Sequence, residues 1–142
     1  MARRGRRKRV DSSLAAKYNR VARALCQSAS DLCQIAEDGD LYGNAIAIVA
    51  IHSAIAHSDA LCIAYGGFKS TEGEHERAAE ALQEALGARV DPRQLRTLEA
   101  ILREKDSVSY QGVYYTVSDA RNVVQRLEGF GRWAEEMYDR RP

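Results

Sequence analysis

From Leu41 to about Tyr65 the sequence is apolar along more than one side of a helix. One stripe repeats every three or four positions, which predicts a helix: Ile48, Ile51, Ile55 and Cys62. The neighbouring stripe is also mainly apolar: Ala45, Val49, His52, Ala56, Asp59 and Ile63. A helix that is apolar on two stripes is buried on both of them, so we expect this helix at the centre of the fold.

This central segment is not predicted to span a membrane. A spanning helix needs about 20 mainly apolar residues, and polar residues interrupt this one: Asn44, His52, Ser53, His57, Ser58 and Asp59. The basic N-terminus is followed by Asp11 rather than by the apolar stretch of an export signal. We therefore expect a cytoplasmic protein that does not contact a membrane.

Cys26, Cys33 and Cys62 are predicted to be reduced thiols in the core. Cys26 and Cys33 are separated by about 10 Å along a helix, which is too far for a disulfide. No CxxC or HxxxH spacing indicates a zinc site, and we predict no metal or cofactor.

A first helix is predicted from Ser12 or Ser13 to about Glu37, with one large apolar stripe that we expect to be buried: Leu14, Tyr18, Val21, Leu25, Leu32 and Ile35. Beside this stripe lies a seam of small residues that would let a neighbouring helix approach closely: Ala22, Cys26, Ala29, Cys33 and Ala36.

Three more helices are predicted from capping signals. Thr71 and Glu74 match a capping box, and Asp91 with Pro92 is a strong helix start. Residues 106–117 are predicted to form a loop or short hairpin, before Ser118 and Asp119 cap a last helix. The fold class is therefore all-α, with an antiparallel helical bundle of four long helices plus a short helix.

The length of 142 residues suits a single domain, predicted at 12–142 behind a disordered basic tail at 1–11. Six cations lie in that tail: Arg3, Arg4, Arg6, Arg7, Lys8 and Arg9. The chain has 21 basic and 20 acidic residues, so the remainder has 15 basic against 20 acidic ones. The tail could bind a nucleic-acid backbone or could simply be a solvated, solubilising segment.

His52 and Asp59 lie seven residues apart on the second stripe of the central helix, and so on one face. They could line a cleft. Alternatively, His52 bonds a neighbouring helix and Asp59 pairs with a cation, since buried polar groups are normally partnered. His57 lies off that face and is predicted to be exposed to solvent.

From about Gly43 to Glu135 the chain resembles the HEPN superfamily (higher eukaryotes and prokaryotes nucleotide-binding) of helical-bundle proteins. The segments that carry the resemblance are AIAIVAIHSAIAHSDALCIAYGG, GEHERAAEAL, LREKDSVSY and SDARNVVQRLEGFGRWAEEM. The resemblance implies a bundle that binds nucleotide or RNA, often as an RNase or as a partner in a toxin–antitoxin system.

RNase members of that family carry an arginine, a polar residue and then a histidine, which the resemblance places at Lys105, Asp106 and Tyr110. Lysine binds phosphate only as a point charge, and tyrosine, with an ordinary pKa of about 10, is a poor base near neutral pH. Whether the protein cleaves RNA is thus left open, and Lys105 and Asp106 could equally be a solvated helix end. The ligand-binding residues predicted beside them are His52, Asp59, Lys69 and His75.

The leading hypothesis from the sequence is a HEPN-like homodimer that binds nucleotide or RNA and could be a degenerate RNase. The alternative is a non-catalytic dimerising module, such as an antitoxin-like or regulatory subunit that works with a nucleotidyltransferase. An acid–base enzyme that uses His52 and Asp59 is a third candidate, which has little support because no nucleophile, metal set or phosphate loop accompanies them.

Overall fold

The computed structural model describes residues 7–70, 77–109 and 112–142. These residues form six α-helices: α1 Ala15–Ile35, α2 Gly43–Gly66, α3 Ala78–Leu86, α4 Pro92–Arg103, α5 Lys105–Ser109 and α6 Val117–Asp139. Single 3-10 turns precede α1 at Ser12–Leu14 and follow α3 at Gly87–Arg89. The two strands of this part of the chain are β1 Arg7–Arg9 and β2 Phe68–Ser70. The all-α prediction is confirmed.

Helix α2 lies at the centre of the helical bundle, where α1, α3 and α6 pack around it. Its middle is buried without interruption from Ser53 to Ile63. The helix is long and apolar enough to cross a membrane, but 83% of its most apolar window is buried inside the protein. It therefore has the burial of a core helix, which is compatible with a soluble protein.

Helix α1 buries the predicted seam of small residues more completely than the large apolar stripe beside it. Its buried residues are the small or polar ones: Ala15, Asn19, Ala22 and Ala29. Leu14, Val21 and Ile35 are instead exposed, at 41%, 48% and 76%. Small side chains let two helix backbones approach closely, so the alanine seam faces the bundle and the large apolar stripe is left at its edge. The prediction that this stripe is buried was wrong for Leu14, Val21 and Ile35, whereas Tyr18 and Leu32 are partly buried against the core.

Two of the helix starts test the predicted caps. Asp91 accepts a hydrogen bond from the backbone N–H of Arg93, and Pro92 opens α4, as predicted. The cap of α6 is Thr116 rather than Ser118, and Asp119 completes a capping box from the third helical position. The proposed box of Thr71 and Glu74 lies outside the described residues.

Residues 106–117 were predicted as a loop or hairpin, but Lys105–Ser109 form the short helix α5. Asn44 ties the residues on either side to the start of α2. Its amide donates to the carbonyl oxygens of Val108 and Val113, at 3.0 and 2.8 Å, and its side-chain oxygen accepts from the backbone of Tyr115 at 2.9 Å. Gly43 permits this contact, because a Cβ there would overlap the carbonyl oxygens of Tyr115 and Thr116.

The end of the basic tail is also ordered differently from the prediction. Arg7–Arg9 pair antiparallel with Phe68–Ser70, and the backbone N–H of Val10 extends the pairing by donating to the Gly67 carbonyl at 2.9 Å. The strand follows from these backbone hydrogen bonds with β2 rather than from β propensity. The predicted disordered tail at 1–11 is therefore corrected for residues 7–11.

Candidate functional site

The groove between the first half of α1 and the middle of α2 is the candidate site. Its volume is about 540 Å³, within the range of small-molecule sites. We call it the α1–α2 groove, and its lining is mainly apolar with a few charged groups: Leu14, Lys17, Tyr18, Val21, Leu25, His52, Ile55, Ala56, Asp59 and Lys69. It exists because Leu14 and Val21 are not buried in the core and remain at the edge of the contact between α1 and α2.

Asp59 provides a buried carboxyl group in this groove. Asp59 is only 5% exposed, and no donor among the described residues forms a hydrogen bond to its carboxylate. Burial raises the pKa of this carboxyl from the ordinary 3.8 to about 7, and the nearby positive charge of Lys69 partly opposes that rise. Near neutral pH, Asp59 is therefore a buried group that a ligand can partner.

Lys69 comes to the groove from β2, directly after the end of α2. Its Nζ donates to the Ser70 carbonyl oxygen at 3.2 Å and lies 5.6 Å from the centre of the Tyr18 ring. A cation over an aromatic face is a favourable contact. Lys69 is thus held between the wall of the groove and its open side.

The strand pairing brings a second lysine beside Lys69. In the antiparallel ladder Lys8 is directly opposite Lys69, and side chains at opposite positions point to the same face of the ladder with Cβ atoms about 5 Å apart. Like charges in that arrangement repel each other and destabilise the pairing. An anion bound between the two ammonium groups would relieve this repulsion.

The predicted site residues divide into two groups in the structure. His52 and Asp59 do share one groove, together with Lys69, and His52 is exposed there. Lys105 and Asp106 are on α5, which Asn44 holds at the other end of α2 through Val108. Asn44 and Asp59 are fifteen positions apart, about 22 Å along a helix. The structure therefore does not bring Lys105 and Asp106 to Asp59.

His75 and Tyr110 lie outside the described residues, so their predicted roles stay predictions.

His57 was predicted to be exposed, and this was wrong, because it is only 2% exposed. Its ring lies edge-on to Phe130, and it fits there because position 131 of α6 is glycine, where a Cβ would come within 3.2 Å of its Nε2. Burial lowers the pKa of His57 from 6.5 to about 4, and the positive charge of Arg23 adds to the effect. Its Nδ1 has no hydrogen-bond partner among the described residues.

A smaller polar cleft of about 320 Å³ opens beside His57, lined by Arg23, Cys26, Gln27, Ser30, His57, Glu128, Gly131, Arg132 and Glu135. Arg23 and Glu135 pair across it at 3.1 Å, and both side chains are well exposed. Burial raises the pKa of the Cys26 thiol, and Glu128 and Glu135 add to the rise, so this thiol is poorly suited to act as a nucleophile.

No group of three or more His, Cys, Asp or Glu side chains that could hold a metal ion occurs among residues 7–70, 77–109 and 112–142. The α1–α2 groove offers one carboxyl group, two lysines, a histidine and mainly apolar walls.

Compared with protein-family models, curated proteins and solved structures, the chain has no significant match.

The two buried titratable residues of α2 should give opposite pH dependences of stability. Asp59 binds its proton more tightly in the folded state. Its contribution to the free energy of unfolding therefore falls as the pH rises from about 4 to about 7. His57 binds its proton more weakly in the folded state, so its contribution rises between about pH 4 and 6.5. Each effect is on the order of a few kcal/mol, and the two largely cancel in the unmodified chain.

We therefore expect Asp59→Asn and His57→Gln to change the pH slope in opposite directions. Between pH 4.5 and 6.5, the free energy of unfolding in urea should rise more steeply for Asp59→Asn than for the unmodified chain. For His57→Gln, the free energy of unfolding should instead fall over this pH range relative to that of the unmodified chain. All other titrating groups are shared by the three proteins, so parallel slopes would contradict the burial of both residues.

Proposed function

We propose that this chain is a HEPN-like antiparallel bundle that binds a nucleotide or RNA, and that the α1–α2 groove is its binding site. The resemblance in sequence supplies the class of ligand. The observation that carries the proposal is the pairing of Lys8 with Lys69 at the groove that contains Asp59. Two ammonium groups on one face favour an anion, and the adjoining groove offers room for an apolar, flat group.

The charges around the groove suit a phosphate. Lys17 and Lys69 line it, and Lys17 is exposed. Arg9 and the other cations of the N-terminal segment lie next to Lys8 in sequence. Backbone phosphates of RNA bind such lysine clusters with strong salt dependence, because each contact releases counterions.

The walls of the groove suit a base or sugar. Leu14 of the preceding 3-10 turn, Val21 and Leu25 of α1, and Ile55 and Ala56 of α2 line it, and Tyr18 adds an aromatic ring. Single-stranded RNA is commonly bound by an aromatic surface combined with a positively charged groove. The groove therefore combines an apolar wall with cations at the side that remains open.

The proposal concerns binding rather than cleavage. The resemblance assigns RNA cleavage to the positions of Lys105 and Asp106, which lie on α5 near the start of α2 and do not line the groove. Lys105→Ala is accordingly expected to leave RNA affinity unchanged.

Replacement of both paired lysines, Lys8→Ala with Lys69→Ala, should weaken binding of a fluorescently labelled single-stranded RNA at low salt. The slope of log affinity against log salt should become shallower by about 1.4, since each phosphate contact to a single strand contributes about 0.7. Fluorescence anisotropy measured over a series of salt concentrations gives both values.

The matched control removes two exposed cations from α4, Arg93→Ala with Arg96→Ala, and so changes the net charge equally. This control should keep the affinity of the unmodified chain. Equal losses in the two double variants would show that only net charge matters, and absence of RNA and nucleotide binding by the unmodified chain would contradict the proposed function.

We also propose, as a second candidate, that the chain is a dimerising module, as an antitoxin-like or regulatory subunit would be. The observation that favours it lies at the loop between α1 and α2, where Ile35, Leu41 and Tyr42 are 76%, 81% and 56% exposed. Clusters of large exposed apolar side chains are typical of protein interfaces. This cluster is at the opposite end of α1 from the groove, so a second copy of the chain can cover it while the groove stays open.

On this second proposal, Ile35→Glu should convert a dimer of the unmodified chain into a monomer in sedimentation velocity experiments. Gln34→Glu is the control, because it adds the same charge at the adjacent exposed position of α1. Ile35 is outside the core, so the substitution should not destabilise the fold of the single chain. Any decrease in melting temperature should therefore come from the loss of the dimer. A monomeric unmodified chain would rule out this candidate.

A further inference from the structure

We propose that the α1–α2 groove selects guanine, in a free nucleotide or in single-stranded RNA, and that Asp59 is the residue that reads the base. This inference rests on the proposed function and adds to it the identity of the base. It follows from a buried carboxylate that lacks a donor among the described residues and that lies in the same groove as the lysines.

The position of Asp59 relative to the cations gives the ligand an orientation. Asp59 is 5% exposed and belongs to the buried part of α2, whereas Lys17 and Lys8 are exposed at the open side. Lys69 lies between these two environments, close enough to Asp59 to oppose the rise in its pKa. A nucleotide with its phosphate at the lysines therefore has its base directed towards Asp59, along Tyr18 and Ile55.

An ionised carboxylate accepts hydrogen bonds and donates none. The Watson–Crick edge of guanine presents two adjacent donors, N1–H and the N2 amino group, which match the two oxygens of a carboxylate. Adenine and cytosine present one amino donor beside a ring nitrogen acceptor, and uracil presents one N–H between two carbonyl oxygens. Only guanine can thus pair with both oxygens of Asp59 without placing an acceptor against it.

The other charged and titratable groups that line the groove do not compete for this role. Lys69 donates to the Ser70 carbonyl, and Lys17 is directed to solvent by its exposed position on α1. His52 is exposed on α2, one turn beyond Ile55 and two turns from Asp59. Asp59 is the carboxylate among the residues that line this groove.

The test compares the four nucleoside monophosphates GMP, AMP, CMP and UMP by isothermal titration calorimetry at pH 8, where Asp59 is ionised. GMP should bind about tenfold or more tightly than the other three, since a bidentate base contact discriminates by roughly that factor. Inosine 5′-monophosphate lacks the N2 amino group and should bind more weakly than GMP. This comparison needs no variant, so it is independent of any effect of substitution on folding.

Asp59→Asn provides the complementary measurement. An asparagine amide presents one acceptor and one donor, which can pair with the donor and acceptor that adenine, cytosine and guanine each place side by side, so the preference for GMP should be lost. Lys69→Ala should weaken the binding of all four nucleotides by a similar factor. The ratio of the GMP affinity to the AMP affinity should stay unchanged. Labelled single-stranded RNA with and without guanine extends the same comparison from free nucleotides to RNA.

Equal affinity for the four nucleotides together with equal affinity for RNA with and without guanine would overturn the assignment of Asp59 while leaving nucleotide or RNA binding intact. A guanine preference that survives in a folded Asp59→Asn variant would overturn it as well. If neither nucleotides nor RNA bind, the proposed function itself fails and this inference falls with it. A guanine preference seen only with RNA would identify the ligand as guanine within a strand. A guanine preference seen only with the free nucleotides would identify the ligand as a free guanine nucleotide.

Discussion

Burial of α2 on nearly all sides is the constraint on which the rest of the structure depends. A polar side chain buried on this helix is costly unless it finds a partner, changes its protonation state or opens onto a cavity. Ser53 donates to the Ala22 carbonyl at 2.8 Å, and His57 stays neutral, with its pKa lowered to about 4. Asp59 opens onto the α1–α2 groove, where an uncharged proton-bound form and a charged form are both accessible near neutral pH.

The packing of α1 against α2 explains why a groove is present. The alanine seam of α1 allows a close approach, and Ser53 of α2 bonds directly to the α1 backbone through that seam. The larger apolar side chains are then left along the edge of the contact. Near the start of α1 they form the wall of the groove, and near its end Ile35 joins the exposed residues of the following loop. The packing of α1 against α2 therefore produces both the α1–α2 groove and the exposed apolar surface at Ile35.

Much of the helical fold could be predicted from the sequence, because periodicity and capping are local properties. The central position of α2 and the Asp91 and Pro92 start of α4 were both predicted. The packing face of α1 was predicted only in part, because the seam of small residues was expected to allow a close approach but the large stripe was expected to be buried as well. Both of its stripes have helical spacing, and hydrophobicity favours Leu14 and Val21, whereas the closeness of the approach to α2 decides for the alanines.

The site could be predicted only in part. His52 and Asp59 share a face by spacing alone, and the structure places both in one groove. The burial of His57 could have been inferred from its position among Ser53, Ala54 and Leu61 on a helix that is apolar on every side. The contribution of Lys8 could not, since Arg7–Arg9 have no strand pattern and meet β2 only through long-range backbone pairing.

The most direct test of the groove as the functional site is a titration of the isotopically labelled chain with GMP, followed by amide chemical shifts in two-dimensional NMR spectra. We predict that the largest changes fall on the first half of α1, on His52 to Asp59 of α2, and on Lys8 and Lys69. Changes centred instead on Lys105 to Tyr115 would place the site at the other end of α2 and contradict the α1–α2 groove as the binding site.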